Sequence, residues 1–208
     1  MKKGFSGLGV LILIALAVIA WGAWTYNGLV KDQGNVERAW ADVESSYQRR
    51  ADLIPNLVET VKGYAKHEQE TLEGVIEARS NATSIKNEID PSKATPEELQ
   101  KYMEKYLSAQ GEVTGALSRL IAVSEAYPDL KANENFKDLQ KQLEGTENRI
   151  NKARNDYNEK ATAYNIKRRT FPSNIIASIF NFDEKPNYKA EEGAEKAPKV
   201  DFGTSETK

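Results

Sequence analysis

Cysteine is absent from the 208 residues, and histidine occurs once, at His67. Without cysteine there is no disulfide, no thiolate nucleophile, no thiolate-held metal and no lipid attached through sulfur. The compartment stays open, because a cysteine-free chain suits either side of a bacterial membrane. A carboxylate-bridged di-iron site in a helical bundle needs a Glu-x-x-His motif from each of two helices. One histidine cannot supply two, and Tyr64 stands where the glutamate would be. The run His67-Glu68-Gln69-Glu70-Thr71 fails as a zinc helix, since Thr71 occupies the place of the second histidine. An excess of either charge is missing too, with 29 Lys and Arg against 31 Asp and Glu. That balance argues against nucleic acid as a partner, because its binders carry a basic excess or stripe. No nucleophile–base set, phosphate loop or ligand cluster stands out, so neither catalysis nor a cofactor is expected. No stretch alternates at period two between turn signals, and a sheet is not expected.

What the chain does have is one long apolar run. Phe5 to Tyr26 are 22 consecutive residues without a charge, centred on GVLILIALAVIA. As a helix they span about 33 Å, the thickness of a hydrocarbon core. Trp21, Trp24 and Tyr26 cluster at the far end, where aromatic rings favour the bilayer interface. The competing reading is a cleaved signal peptide with a positive start at Lys2 and Lys3. Its best cleavage site, Ala20-Trp21-Gly22, has a bulky ring between the small residues. Lys2, Lys3 and the terminal amine outweigh Lys31 and Arg38 in the positive-inside count, placing residues 1–4 inside and the following domain outside the cytoplasm.

The remainder reads as all-α. Val36, Trp40, Val43 and Tyr47 form one helical stripe; Leu53, Leu57, Val61, Tyr64, Leu72 and Val75 or Ile76 form another. Pro55 lies between them, so the pattern predicts one helix to about Arg50 and a second over 52–82, or else one long helix kinked at Pro55. Arg49-Arg50-Ala51-Asp52 would then sit at the first hairpin turn, fixing it or anchoring a partner. Glu59, Glu68, Glu70, Glu73 and Glu77, interspersed with Lys62, Lys66 and Arg79, read as a solvated face. Asn87 and Asp90-Pro91-Ser92 mark a connection, and Thr95-Pro96-Glu97-Glu98 is a helix start with hydroxyl cap, proline and acids. That third helix stops near Ala126 before Tyr127-Pro128-Asp129. A fourth begins at Asn133–Asn135 and ends on Lys167, Arg168 and Arg169 ahead of Pro172. Its dipeptides Tyr157-Asn158 and Tyr164-Asn165 stand seven residues apart, so both tyrosines face the core with hydroxyls bonded at its edge. Residues 183–208 are charged and carry Pro186 and Pro198, which predicts a disordered tail.

The stretches YNGLV (26–30), VERAWADVESSYQRRADLIPNLVETVKGYAKHE (36–68), AYPDLKANENFKDLQKQLEGTENRINKARNDYNEKATAYN (126–165) and FPSNIIA (171–177) resemble the LemA family. The runs are long and ordered, and they cover nearly the whole chain except the tail. The resemblance implies a membrane helix followed by an antiparallel up-and-down four-helix bundle over 27–170. It implies no established catalytic residues, and it implies a short N-terminus outside the membrane, opposite to the charge count.

The candidate site follows from that layout. In an up-and-down bundle the fourth helix returns to the bilayer that the first one left. Lys167, Arg168, Arg169 and Phe171 would lie there, with Ile175, Ile176, Ile179 and Phe180 as one apolar stripe. Segment 171–182 either lies in the interface as a second contact with lipid or a neighbouring membrane protein, or caps the open end of the bundle. The expected role is non-enzymatic: interaction or envelope organisation at a bacterial inner membrane. The expected partners are the lipid bilayer, a membrane or envelope protein, and a homo-oligomer through Gly4, Gly7 and Gly9. The alternative is a sensory or regulatory membrane subunit with a ligand site between helices.

Overall fold

The computed structural model describes residues 7–85 and 94–188. Among them the regular elements are all helices: α1 (Gly7–Tyr64), α2 (Gln69–Ile85), α3 (Pro96–Ser124), α4 (Pro128–Ala132), α5 (Glu134–Arg169) and α6 (Ser173–Ile179). The flank 1–4, the turn signals at Asn87 and Asp90-Pro91-Ser92, and the tail from 189 lie outside the described residues.

The main departure from the sequence pattern is α1. It runs unbroken through Arg50 and Pro55 to Tyr64, so the division into helices ending at 50 and starting at 52 is wrong. Proline has no N–H for the carbonyl four residues earlier, here that of Ala51. Arg79 of α2 donates its Nε–H to the Ala51 carbonyl at 2.7 Å. The vacancy that would end the helix is thereby filled from another helix, while Pro55 itself faces solvent. The chain turns at Ala65–Glu68 instead, with His67 exposed in the turn.

Local signals set the other helix ends. Thr95 accepts from the Glu98 backbone N–H at 3.3 Å, and Glu98 accepts from the Thr95 N–H at 2.9 Å. This capping box, followed by Pro96, starts α3 as the sequence predicts. Asn133 accepts from the Phe136 N–H at 3.0 Å and starts α5. The short α4 was not evident in the pattern. It leads the chain from α3 to α5 and buries Leu130.

α5 runs antiparallel along α1. Three polar contacts give the register: Asn133 Nδ2 to Tyr64 Oη at 2.9 Å, Arg50 to Glu147 at 2.8 Å, and Lys167 to Asp32 at 2.7 Å. α2 also runs against α1, pinned by Arg79, and pairs with α3. The core is a stripe of α1 (Val36, Trp40, Val43, Tyr47, Ile54, Leu57, Val61) closed by facing residues of the other helices. Trp40 touches Tyr102 and Tyr106 of α3 and Tyr157 of α5, at ring separations of 6.1, 6.1 and 5.6 Å. Aromatic contacts of this kind add about 0.5–1.5 kcal/mol each beyond their burial.

Arg50 is 1 % exposed and joins three helices. Besides Glu147 it donates to Thr114 Oγ1 at 2.8 Å and to the side chain and carbonyl of Gln110 at 2.6 and 3.0 Å. These bonds at both terminal nitrogens offset the burial of the charge, while its Nε is buried with no partner among the described residues. Arg50 thus acts within the core rather than at a hairpin turn.

Replacing Arg79 with methionine leaves the Ala51 carbonyl without its donor, at a cost of about 1–3 kcal/mol. Adding Pro55→Ala restores the helix's own N–H. Urea unfolding followed by circular dichroism should then show the double variant recovering most of the loss. A loss that the second substitution does not offset would show that the proline and the arginine act independently.

Candidate functional site

Where α1 passes from an exposed apolar surface into the core, α6 leans against it. In the most apolar 18-residue window of α1 no residue is buried. Burial begins at Trp21 and Gly22, which are half-covered, and continues at Thr25 and Leu29. A Cβ at Gly22 would make only an ordinary van der Waals contact with Ile176 Cδ1, at 3.6 Å. A Cβ at Gly28 would stand 2.8 Å from Lys167 Nζ, across the path by which that lysine reaches Asp32. Tyr26 meets the rings of Phe180 and Phe182 at 4.8 and 5.6 Å.

The predicted apolar stripe is divided between two faces. Ile176 is buried together with Ala177, whereas Phe171, Ile175, Ile179 and Phe180 are 76, 45, 63 and 55 % exposed. One side of α6 therefore covers the lower end of the helices, and the other presents apolar surface beside the aromatic end of the long run. The basic triplet is dispersed as well. Lys167 pairs with Asp32, and Arg168 donates to the Phe182 carbonyl and lies 3.8 Å from Glu184. Arg169 donates to the Asn165 carbonyl at 3.3 Å. Successive helix positions point about 100° apart, so three adjacent cations do not form one patch.

The second feature lies where a disordered tail was predicted from 183 onward. Residues 183–188 are held along α5 by side chains that bond their backbone. Asn165 clasps residue 185 from both sides, accepting from the Lys185 N–H at 3.0 Å and donating to its carbonyl at 2.7 Å. Asn158 does the same to Tyr188, at 2.8 and 3.1 Å. Tyr164 donates to the Asp183 carbonyl at 2.9 Å, and Tyr157 to the Pro186 carbonyl at 2.8 Å. The spacing explains the fit. Seven helical residues rise about 10.5 Å, and three steps of an extended chain cover about 10 Å. The strap ends in Tyr188, which stacks on Trp40 at 5.8 Å and meets Tyr157 at 5.1 Å. Arg154 lies over its other surface at 5.3 Å. Both tyrosines of the Tyr-Asn repeat are buried with bonded hydroxyls, as the sequence suggests. The asparagines were missed, although their seven-residue repeat was the available signal.

Residues 39–202 match the LemA family, from the core stripe of α1 through the strap. The chain belongs to the LemA family. Protein LemA of Metamycoplasma hominis is 28% identical over 180 residues, covering 86% of this chain and 74% of that protein. The magnetosome protein MamQ 2 of Paramagnetospirillum magneticum is 28% identical over 201 residues, covering 91% and 73%. MamQ of Magnetospirillum gryphiswaldense is 26% identical over 187 residues, covering 84% and 68%. The LemA family match starts beyond the exposed apolar run and includes most of the helical domain and the strap.

Burial raises the Tyr164 phenol to about 12, with Asp183 and Glu37 adding to the rise and Arg168 opposing it. Burial also pushes Tyr157 and Tyr188 upward. A folded value above the ordinary one means the stabilisation is complete below about pH 10 and is lost as pH climbs through the raised value. An ionised phenol can no longer donate to Asp183, so the strap should leave α5 above about pH 12. In a Trp21→Phe, Trp24→Phe background, Trp40 emission should change together with phenolate absorbance there. Emission that stays constant while the buried tyrosines ionise would refute the link.

Proposed function

We propose that this LemA-family chain is a single-pass membrane protein whose helical domain acts by contact with other proteins, without catalysis. Segment 5–26 crosses the bilayer, and 27–170 forms an up-and-down four-helix bundle at its surface. α6 lies in the interface with Phe171, Ile175, Ile179 and Phe180 toward lipid, while Lys167, Arg168 and Arg169 sit at headgroup level. The location is the bacterial inner membrane, with the bundle outside the cytoplasm as the positive-inside count suggests. The partners are the bilayer and a membrane or envelope protein, not nucleic acid.

One observation carries this reading. A single helix, α1, has an apolar window with no buried residue at one end and buried core residues from Leu29 to Val61 at the other. Leu8, Leu11, Ile12, Leu13, Ile14, Leu16 and Ile19 are each more than half exposed. Contiguous apolar surface of that extent marks a membrane or protein contact. The exposed side of α6 extends it at the level of Tyr26, and Trp24, 77 % exposed, adds an interfacial anchor. Two relatives are named for a cellular structure, the magnetosome, rather than for a reaction, which agrees with an organising role.

Carbonate washing of membranes tests the anchor. The full chain should stay in the pellet, and a chain lacking 5–26 should move to the supernatant. A photoreactive lipid should label α6, and labelling should fall several-fold when Ile175, Ile179 and Phe180 become serine while the chain remains pelleted. Release of the full chain by carbonate would sink the membrane reading, and labelling indifferent to the substitutions would reduce α6 to a cap.

A further inference from the structure

The clasp on α5 does something unusual for a helix: its side chains pair with an extended backbone as the edge of a sheet would. Arg168, Tyr164, Asn165, Tyr157 and Asn158 together engage backbone groups of residues 182, 183, 185, 186 and 188. All seven of those bonds go to main-chain atoms, so the clasp reads the path of a peptide more than its sequence. Selectivity comes from the last position, where an aromatic ring enters the space between Trp40, Tyr157 and Arg154.

We infer that this clasp is an exchangeable docking site whose partner is a second copy of the same chain, segment 182–188 of one copy seating in the clasp of its neighbour. Every copy carries the matching segment, so complementarity in trans is guaranteed by identity. The strap joins α6 through one bend. Asn181 has φ 51°, a left-handed conformation that an ordinary residue adopts at a cost and asparagine tolerates. Opening that bend swings the strap outward and removes the strain, the condition under which hinge segments exchange between protomers. The seating is also reversible in kind. Among the described residues, Tyr188 Oη and Trp40 Nε1 are buried without a hydrogen-bond partner, and each such atom works against the closed contact.

The membrane reading enters at one point only. Tethering by α1 confines copies to a plane and raises their effective concentration, which favours exchange over isolated monomers. Without the tether the clasp would still exist, but exchange would need a higher protein concentration.

The absence of native cysteine makes a direct test available. Asn187 Nδ2 lies 3.1 Å from Thr162 Oγ1 on the exposed rim of the clasp. Two differently tagged full-length chains, one T162C and one N187C, are expressed together and treated in membranes with a short bismaleimide. A heterodimer carrying both tags is expected, well above that from T162C chains alone. Adding Asn158→Ala and Asn165→Ala to the T162C chain removes four hydrogen bonds to the segment and should lower it at least about tenfold. A chain carrying both cysteines serves as the reference for seating within one copy. Internal crosslinking with no heterodimer would overturn the exchange. Absence of both products would overturn it equally, since the segment would then not occupy the clasp. Either result with the chain still in the pellet leaves the membrane reading standing, whereas recovery of a heterodimer from the supernatant separates the two in the other direction.

Discussion

Fifty-eight residues of α1 remain one helix because the carbonyl that Pro55 leaves unbonded is taken by Arg79. Much else is referred to that single exchange of donors. It holds α1 continuous past Arg50, so the guanidinium reaches inward to α3 and α5 instead of outward at a turn. It fixes α2 against α1 at one height. It also keeps one side of α1 in step with α5 along the whole distance from Tyr64 to Asp32. A break at Arg50 would have rotated the following residues and lost that register.

The division between what the chain's letters disclose and what they conceal follows the range of the interactions. The starts of α3 and α5 are local matters: Thr95 and Asn133 each satisfy an amide three residues on, and short patterns announce them. The apolar run is likewise written in consecutive residues. Pro55 is different, because its effect is reversed by a side chain 28 positions from the carbonyl it strands. A local rule predicts a break there and fails. Residues 183–188 fail for a related reason. Their composition resembles that of a tail, and composition carries no trace of backbone groups engaged by Asn158 and Asn165 some 20 to 30 positions away. The candidate membrane-side residues were legible as a set but not as an arrangement: Ile176 turned inward, and the three cations went to three different partners.

The lower half of the domain is consequently built from late segments of the chain rather than from the main helices alone. α3 meets α5 through side chains, and the seam between them near Met103 is overlaid by the strap, with Tyr157 touching both Met103 and Pro186. α6 closes the end beside Tyr26. The strap is held by polar bonds to α5 and by rings, so its attachment is weaker and more responsive to solution conditions than the aliphatic part of the core.

Under the proposed membrane reading, a rod shared between bilayer and protein is also a lever. From Trp24 to Arg50 α1 measures about 40 Å along its axis. Helices in membranes adjust their tilt to the thickness of the lipid around them. A change of about 10° at the bilayer surface would carry Arg50, and everything bolted to it, sideways by about 7 Å, so the thickness of the surrounding lipid would become a lateral position for the domain's outer end.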